Sequence, residues 1–163
     1  MSYSLNKGYT DTVTTSKSVG IPDLSYGTDF HVTRDVPGEV ILTNVTSPLD
    51  REETIRFSIT NIKDVYTNTS VDPAYYAASH QGISLVCQVS DTWRYSDESV
   101  VGSAAVDLPI SAHIVIKAPK TSYLAADDYM AIVKRAVSLC FGTGQTTSAR
   151  LMSLLKGALD PNA

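Results

Sequence analysis

Residues 53–66 read ETIRFSITNIKDVY. Ile55, Phe57 and Ile59 recur at every second position, alternating with Thr54, Arg56, Ser58 and Thr60. Successive side chains of an extended chain point to opposite faces, so this period predicts a strand with one buried and one wet side. Two later stretches repeat the design. In Ile83 to Thr92 (ISLVCQVSDT), Ile83, Leu85, Cys87 and Val89 face one way, and Ser84, Val86, Gln88 and Ser90 the other. In Ile110 to Ala118 (ISAHIVIKA), Ile110, Ala112, Ile114 and Ile116 oppose Ser111, His113, Val115 and Lys117. Upstream, Thr28 to Arg34 alternates with Phe30 and Val32 on one face. Pro37-Gly38 signals a turn and Glu39 to Thr46 follows, so 28–46 reads as a β-hairpin. Tyr9 to Thr15 could add a short strand. Pro48, the stretch 67–82 and the stretch 93–103 with Gly102 mark connections. A connection as long as 67–82 is uncommon in a compact domain and often has a role of its own.

The period then changes. Between Tyr123 and Phe141, Met130, Val133, Val137, Cys140 and Phe141 recur at spacings of three and four, which predicts an amphipathic helix. Thr121 or Ser122 could cap it, and Asp127 and Asp128 lie in its early turns, where negative charge is favoured. Gly142 and Gly144 end it. Thr147 or Ser148 could start a second helix carrying Leu151, Leu154, Leu155 and Leu159, with Pro161 beyond. Strands first and helices last predict an α+β fold, with helices packed on one face of an antiparallel sheet. The 163 residues fit a single domain, 1–163, with a β part to 118 and a helical part from 119.

Composition narrows the function. The chain is 43% hydrophobic and 18% charged, which is ordinary for a folded protein. Its net charge of −4 lacks the basic excess of a general nucleic-acid binder, so any such contact must come from a local patch. The two cysteines, Cys87 and Cys140, sit in apolar stretches outside any C-x-x-C pair and read as buried free thiols. The N-terminus lacks an apolar signal core and no apolar run approaches a bilayer's thickness, so a soluble protein made in the cytoplasm, with no membrane partner, is expected.

The two faces of the strands pose a packing problem. Two modest helices at one end of the chain must cover a strongly apolar sheet face. If each chain's helices reach across a partner's sheet, an interlocked two-fold homodimer satisfies both surfaces. The opposite face mixes hydroxyls, an amide, a histidine and cations with few carboxylates. Polar residues are the default on the open face of an antiparallel sheet, yet this mixture also suits phosphate and base contacts of an RNA loop.

This order of elements resembles the leviviral coat proteins of single-stranded RNA bacteriophages, over roughly residues 28–160. The likeness is clearest in Val106-Asp107-Leu108-Pro109, in Ala112 to Pro119, in Met130 to Val137 (MAIVKRAV), and in the strand pair 53–65 and 83–90. The resemblance implies an N-terminal hairpin, a five-stranded antiparallel sheet, two C-terminal helices and an intertwined homodimer. It implies dimers that assemble into a small icosahedral capsid with quasi-equivalent positions, the loop at about 92–106 lying at the symmetry contacts. It implies a virion component whose inward sheet face holds a stem-loop of the genomic RNA, marking it for packaging and repressing replicase translation. Carried over position by position, the RNA-binding candidates are Thr54, Arg56, Ser58, Thr60, Ser84, Val86, Gln88, Ser111, His113 and Lys117. Members of the family carry a base-stacking Tyr near the place of Pro109 and a Lys near Val86, so the hairpin recognised should differ. The connection 67–82 exceeds the family's tight turn and is expected to decorate the surface or add a contact.

Other sites weigh less. His31, His80 and His113 are far apart and lie in no metal-ligand spacing, so no metal or cofactor is expected. Asn44-Val45-Thr46 and Asn68-Thr69-Ser70 match a glycosylation pattern short enough to arise by chance. Tyr75-Tyr76 is a candidate for a partner contact or for packing within its loop. No nucleophile-base or phosphate-loop signature is present, so an enzyme is not expected. The alternative from another class is a bacterial adhesion or pilus-like β module using its sheet edges.

Overall fold

A computed structural model describes residues 5, 7–9, 16–96, 104–142, 144 and 149–158. The chain divides into two compact units, one of residues 23–120 and one joining residues 1–22 to 121–163.

The first unit is a five-stranded antiparallel sheet in sequence order: β1 (Phe30–Val36), β2 (Glu39–Asn44), β3 (Thr54–Ile62), β4 (Gly82–Tyr95) and β5 (Val106–Pro119). The hairpin read over 28–46 is β1–β2. Pro37 and Gly38 form its two-residue turn, Val36 pairs with Glu39, and Gly38 takes a positive φ of 86°. A Cβ at Gly38 would also lie 3.1 Å from the Ile59 carbonyl oxygen, so the turn needs glycine for space as well as for conformation. The register shifts between Val32 and Arg34. Thr33 is the extra residue, and its hydroxyl donates to the Ile41 carbonyl at 3.3 Å. This bulge moves Arg34 from the face of Phe30 and Val32 to the opposite one.

The alternation seen in residues 53–66 forms a strand with two distinct faces, but of its apolar residues only Ile55 is buried, while Phe57 is half-buried and Ile59 is exposed. Ile55 is 2% exposed and packs with Phe30 and Leu42, with Val40 and Phe57 against them. The strand ends at Ile62, short of Tyr66. By contrast, β4 and β5 run past the predicted ends: residues 93–95, read as loop, and residues 106–109, ahead of the strand expected from Ile110, are paired strand. Pro109 has no N–H to give a ladder, and it is tolerated because β5 is an edge strand.

The connection between β3 and β4 packs on itself. Tyr66 and Tyr76 stack with ring centroids 4.0 Å apart, and His80 sets its ring edgewise to both. The Ala77 N–H donates to the Tyr66 hydroxyl at 2.8 Å, and Asp72 caps a 3₁₀ turn, Pro73–Tyr75. Of the two tyrosines named as contact candidates, Tyr76 belongs to this internal packing and Tyr75 is exposed.

The second unit holds α1 (Ala126–Ser138) and α2 (Ala149–Leu155). The N-cap of α1 is Ala125, not Thr121 or Ser122. Alanine offers no side-chain acceptor, and the Asp128 carboxylate accepts from the Ala125 N–H at 2.9 Å. Thr121 accepts from the Tyr123 N–H in the turn before it. The expected caps of α2, Thr147 and Ser148, and the early strand's residues 10–15 lie outside the described residues. Within this unit, Arg135 stacks 3.9 Å over the Tyr9 ring, and Lys17 lies 5.7 Å from the Phe141 ring while donating to the Gly142 carbonyl.

Candidate nucleic-acid interface and assembly surface

Strand register decides which side chains share a surface. Across β3, β4 and β5, four polar rows line up: Thr54, Ser90 and Ser111; Arg56, Gln88 and His113; Ser58, Val86 and Val115; Thr60, Ser84 and Lys117. All ten residues expected on the polar face therefore lie on one face of the sheet. On β5 they are exposed, and on β3 and β4 most are half-buried.

The rows extend onto the two strands of the hairpin, which the sequence reading did not count among those forming the polar face. His31 and Thr43 continue the Thr54 row, Arg34 and Ile41 the Arg56 row, and Val36 and Glu39 the Ser58 row. Glu39 is thus a carboxylate on a face expected to have few. Its side chain accepts from Arg56 Nε at 2.6 Å and lies 3.4 Å from Arg34 Nε. One acid therefore holds two guanidinium groups. The alternation of Glu39 with Val40 could have suggested its face, but its partners depended on the turn at Pro37-Gly38 and the bulge at Thr33.

The other face is apolar and open over much of its area. Among the described residues, the buried hydrophobics are Phe30, Leu42, Ile55 and Ala118. Trp93 (60% exposed), Tyr95 (61%), Val106 (51%), Leu108 (45%) and Ile110 (46%) share the far end of this face, on the ends of β4 and β5. In the helical unit Leu139, Met152 and Leu155 are exposed, and neither helix has a buried residue. Cys87 and Cys140 are free and half-buried. Two open grooves flank the β1–β2 turn. Among the described residues, no three of His, Cys, Asp or Glu converge as a metal site would require. Among the described residues, no helix is long and apolar enough to cross a membrane.

One charged network stands at the end of the polar face. Arg94 donates to both oxygens of Asp107, at 2.6 and 2.8 Å, and to Asp50 at 3.0 Å. Arg51 lies 3.8 Å from Asp50 and 3.9 Å from Asp107. The hydrogen bond from Arg94 holds the Asp107 carboxyl below its ordinary range, and the same bond raises the Arg94 guanidinium.

The fold is shared with proteins of known assembly. The virus-like particle of bacteriophage AVE015 has a subunit that matches at a TM-score of 0.88 and 32% identity, over 98% of this chain and 98% of that one. The chain belongs to the bacteriophage coat proteins. The subunit of the virus-like particle of bacteriophage GQ-112 shares the fold, at a TM-score of 0.83 and 17% identity, over 97% of this chain and 98% of that one. No protein-family model matches the chain, and no curated protein does. As a coat protein, this chain is a structural component of the virion, and its self-assembly into a shell explains why so much apolar surface stays open in one copy.

Proposed function

We propose that this coat protein forms a two-fold homodimer through β5 and the open apolar face, and that dimers close into an icosahedral shell around RNA in the bacterial cytoplasm. The carrying observation is the exposed patch of Trp93, Tyr95, Val106, Leu108 and Ile110 on one face of the sheet. Fully burying a large apolar side chain is worth about 1.5–3 kcal/mol, so closing five half-exposed ones contributes on the order of 5 kcal/mol per copy. Two copies give on the order of 10 kcal/mol, comparable to the roughly 4–15 kcal/mol cost of association. The patch alone therefore about breaks even, and a stable dimer also calls on the exposed apolar residues of the helices. The edge of β5 supports the same reading: it is 14 residues long and, among the described residues, unpaired on one side. Such an edge invites a copy of itself, and a two-fold axis makes the pairing self-complementary.

The polar face is the RNA surface in this reading. The stem-loop contacts come from Thr54, Arg56, Ser58, Thr60, Ser84, Val86, Gln88, Ser111, His113 and Lys117, with cations engaging phosphate and the hydroxyl and amide groups engaging bases. Binding there would mark the genome for packaging and repress replicase translation. The rows shared by β3, β4 and β5 support this, since they bring His113, Lys117 and Arg56 onto one surface of a chain whose net charge is −4.

Expression in bacteria, followed by size-exclusion chromatography, electron microscopy and the ratio of absorbance at 260 and 280 nm, tests the proposal. Uniform hollow particles carrying nucleic acid, which dissociate to dimers, are expected. A monomer or linear fibre free of RNA under assembly conditions would overturn it.

A further inference from the structure

The ladder between β3 and β4 ends at Thr54–Ser90, whereas β4 and β5 stay paired as far as Tyr95–Val106. The rungs from Asp91–Ile110 to Tyr95–Val106 therefore form a two-stranded ribbon that overhangs β3. An isolated two-stranded ribbon is marginal in water. Its apolar face carries the open patch, where the Trp93 indole N–H donates to Asp91. Its polar face carries Arg94 and Asp107.

Those two side chains tie the ribbon to a well-braced turn. Asp50 and Arg51 belong to the connection between β2 and β3. There the Asn44 side chain donates to Glu53 at 2.6 Å and accepts from the Thr46 N–H and hydroxyl, while the Glu53 N–H donates to Ser47. Asp50 reaches Arg94 and Arg51 approaches Asp107, so the turn touches both strands of the ribbon. Two cations and two anions balance, and the fork of Arg94 on Asp107 fixes direction as well as distance.

We infer that Asp50, Arg51, Arg94 and Asp107 act as a clamp that sets the angle of the β4–β5 ribbon relative to the sheet, and so presents the patch around Trp93 in one orientation to a neighbouring copy. This rests on the assembly proposed above. The network is solvent-accessible, and exposed ion pairs add little to stability. Its effect is geometric: without it the ribbon is free to swing, and copies in a shell meet at variable angles.

The paired variant Asp50→Asn, Arg51→Gln tests this, because it cuts the tie to the turn and leaves the Arg94–Asp107 rung intact. Trp93 is the only tryptophan and reports on the ribbon directly. Expected are faster decay of Trp93 fluorescence anisotropy and exchange of the amides of residues 93–95 and 106–108 raised roughly tenfold, with unchanged exchange at Ile55 and Phe57 and particles of mixed diameter. In 1 M salt, where screening acts within about 3 Å, wild type should approach the variant. Unchanged anisotropy and ribbon exchange would overturn the clamp, as would an equal rise across the whole sheet, which would make the network a plain stabiliser. The exchange and anisotropy readouts decide the clamp even if the wild-type chain forms no particles, an outcome that would sink the assembly reading alone.

Discussion

Glu39 is the residue with most leverage on the polar face. It holds Arg56 at 2.6 Å and Arg34 at 3.4 Å, so RNA approaching this surface must compete with an internal carboxylate. Substituting E39Q should release both cations. The expected result is tighter RNA binding with a salt dependence steeper by about one ion, measured by filter binding across a salt series; an unchanged slope would place RNA elsewhere. Gly82 carries a different constraint. A Cβ there would lie 2.1 Å from Val65 Cγ1 and 2.7 Å from the Ala118 carbonyl oxygen. Backbone cannot yield as a side chain tip can, so G82A should destabilise by about 1–3 kcal/mol in urea denaturation. Neither effect is legible from the residue alone. Glu39 and Gly82 look ordinary until register and close approach give them neighbours.

At the level of elements, α1 and the ribbon make contrasting predictions. The Asp128 carboxylate accepts from the Ala125 N–H and lies in the first turn of α1, so D128A should cost about 1 kcal/mol of thermal or urea stability, while D127A should cost less. The ribbon should respond to acid. Asp107 is held below its ordinary value of 3.8 chiefly by the hydrogen bond from Arg94. A carboxyl lowered on folding favours the folded form while ionised, so its contribution is complete above the ordinary value and lost as pH falls through the lowered one. Amide exchange across residues 93–95 and 106–108 should therefore stay level down to about pH 4 and rise below it, after correction for intrinsic exchange. A rise centred well above that pH would point to another group.

On the scale of the whole molecule, the buried set of Phe30, Leu42, Ile55 and Ala118 leaves the apolar face incomplete in one chain. A charge on that face should block association while sparing the sheet. I114D, at a residue 38% exposed on β5, is expected to weaken the dimer at least about 100-fold, or roughly 3 kcal/mol, in light scattering, with unchanged far-UV circular dichroism. A variant that still forms normal dimers would move the interface off this face.

The sequence by itself determined what is local. Period two in residues 53–66, 83–92 and 110–118 assigned the two faces of each strand, and the change to a helical period after Tyr123 separated helix from sheet, because both follow from backbone geometry within a few residues. The order of these elements was enough for a family resemblance. Tertiary structure alone decided the rest. The bulge at Thr33 turned Arg34 over, the turn at Pro37-Gly38 set Glu39 beside Arg56, and β4 and β5 outran β3 into a ribbon. The clamp joins Asp50 to Arg94 across 44 positions. Such pairings depend on register, the sum of every turn and bulge between two strands, and no window of sequence contains that sum.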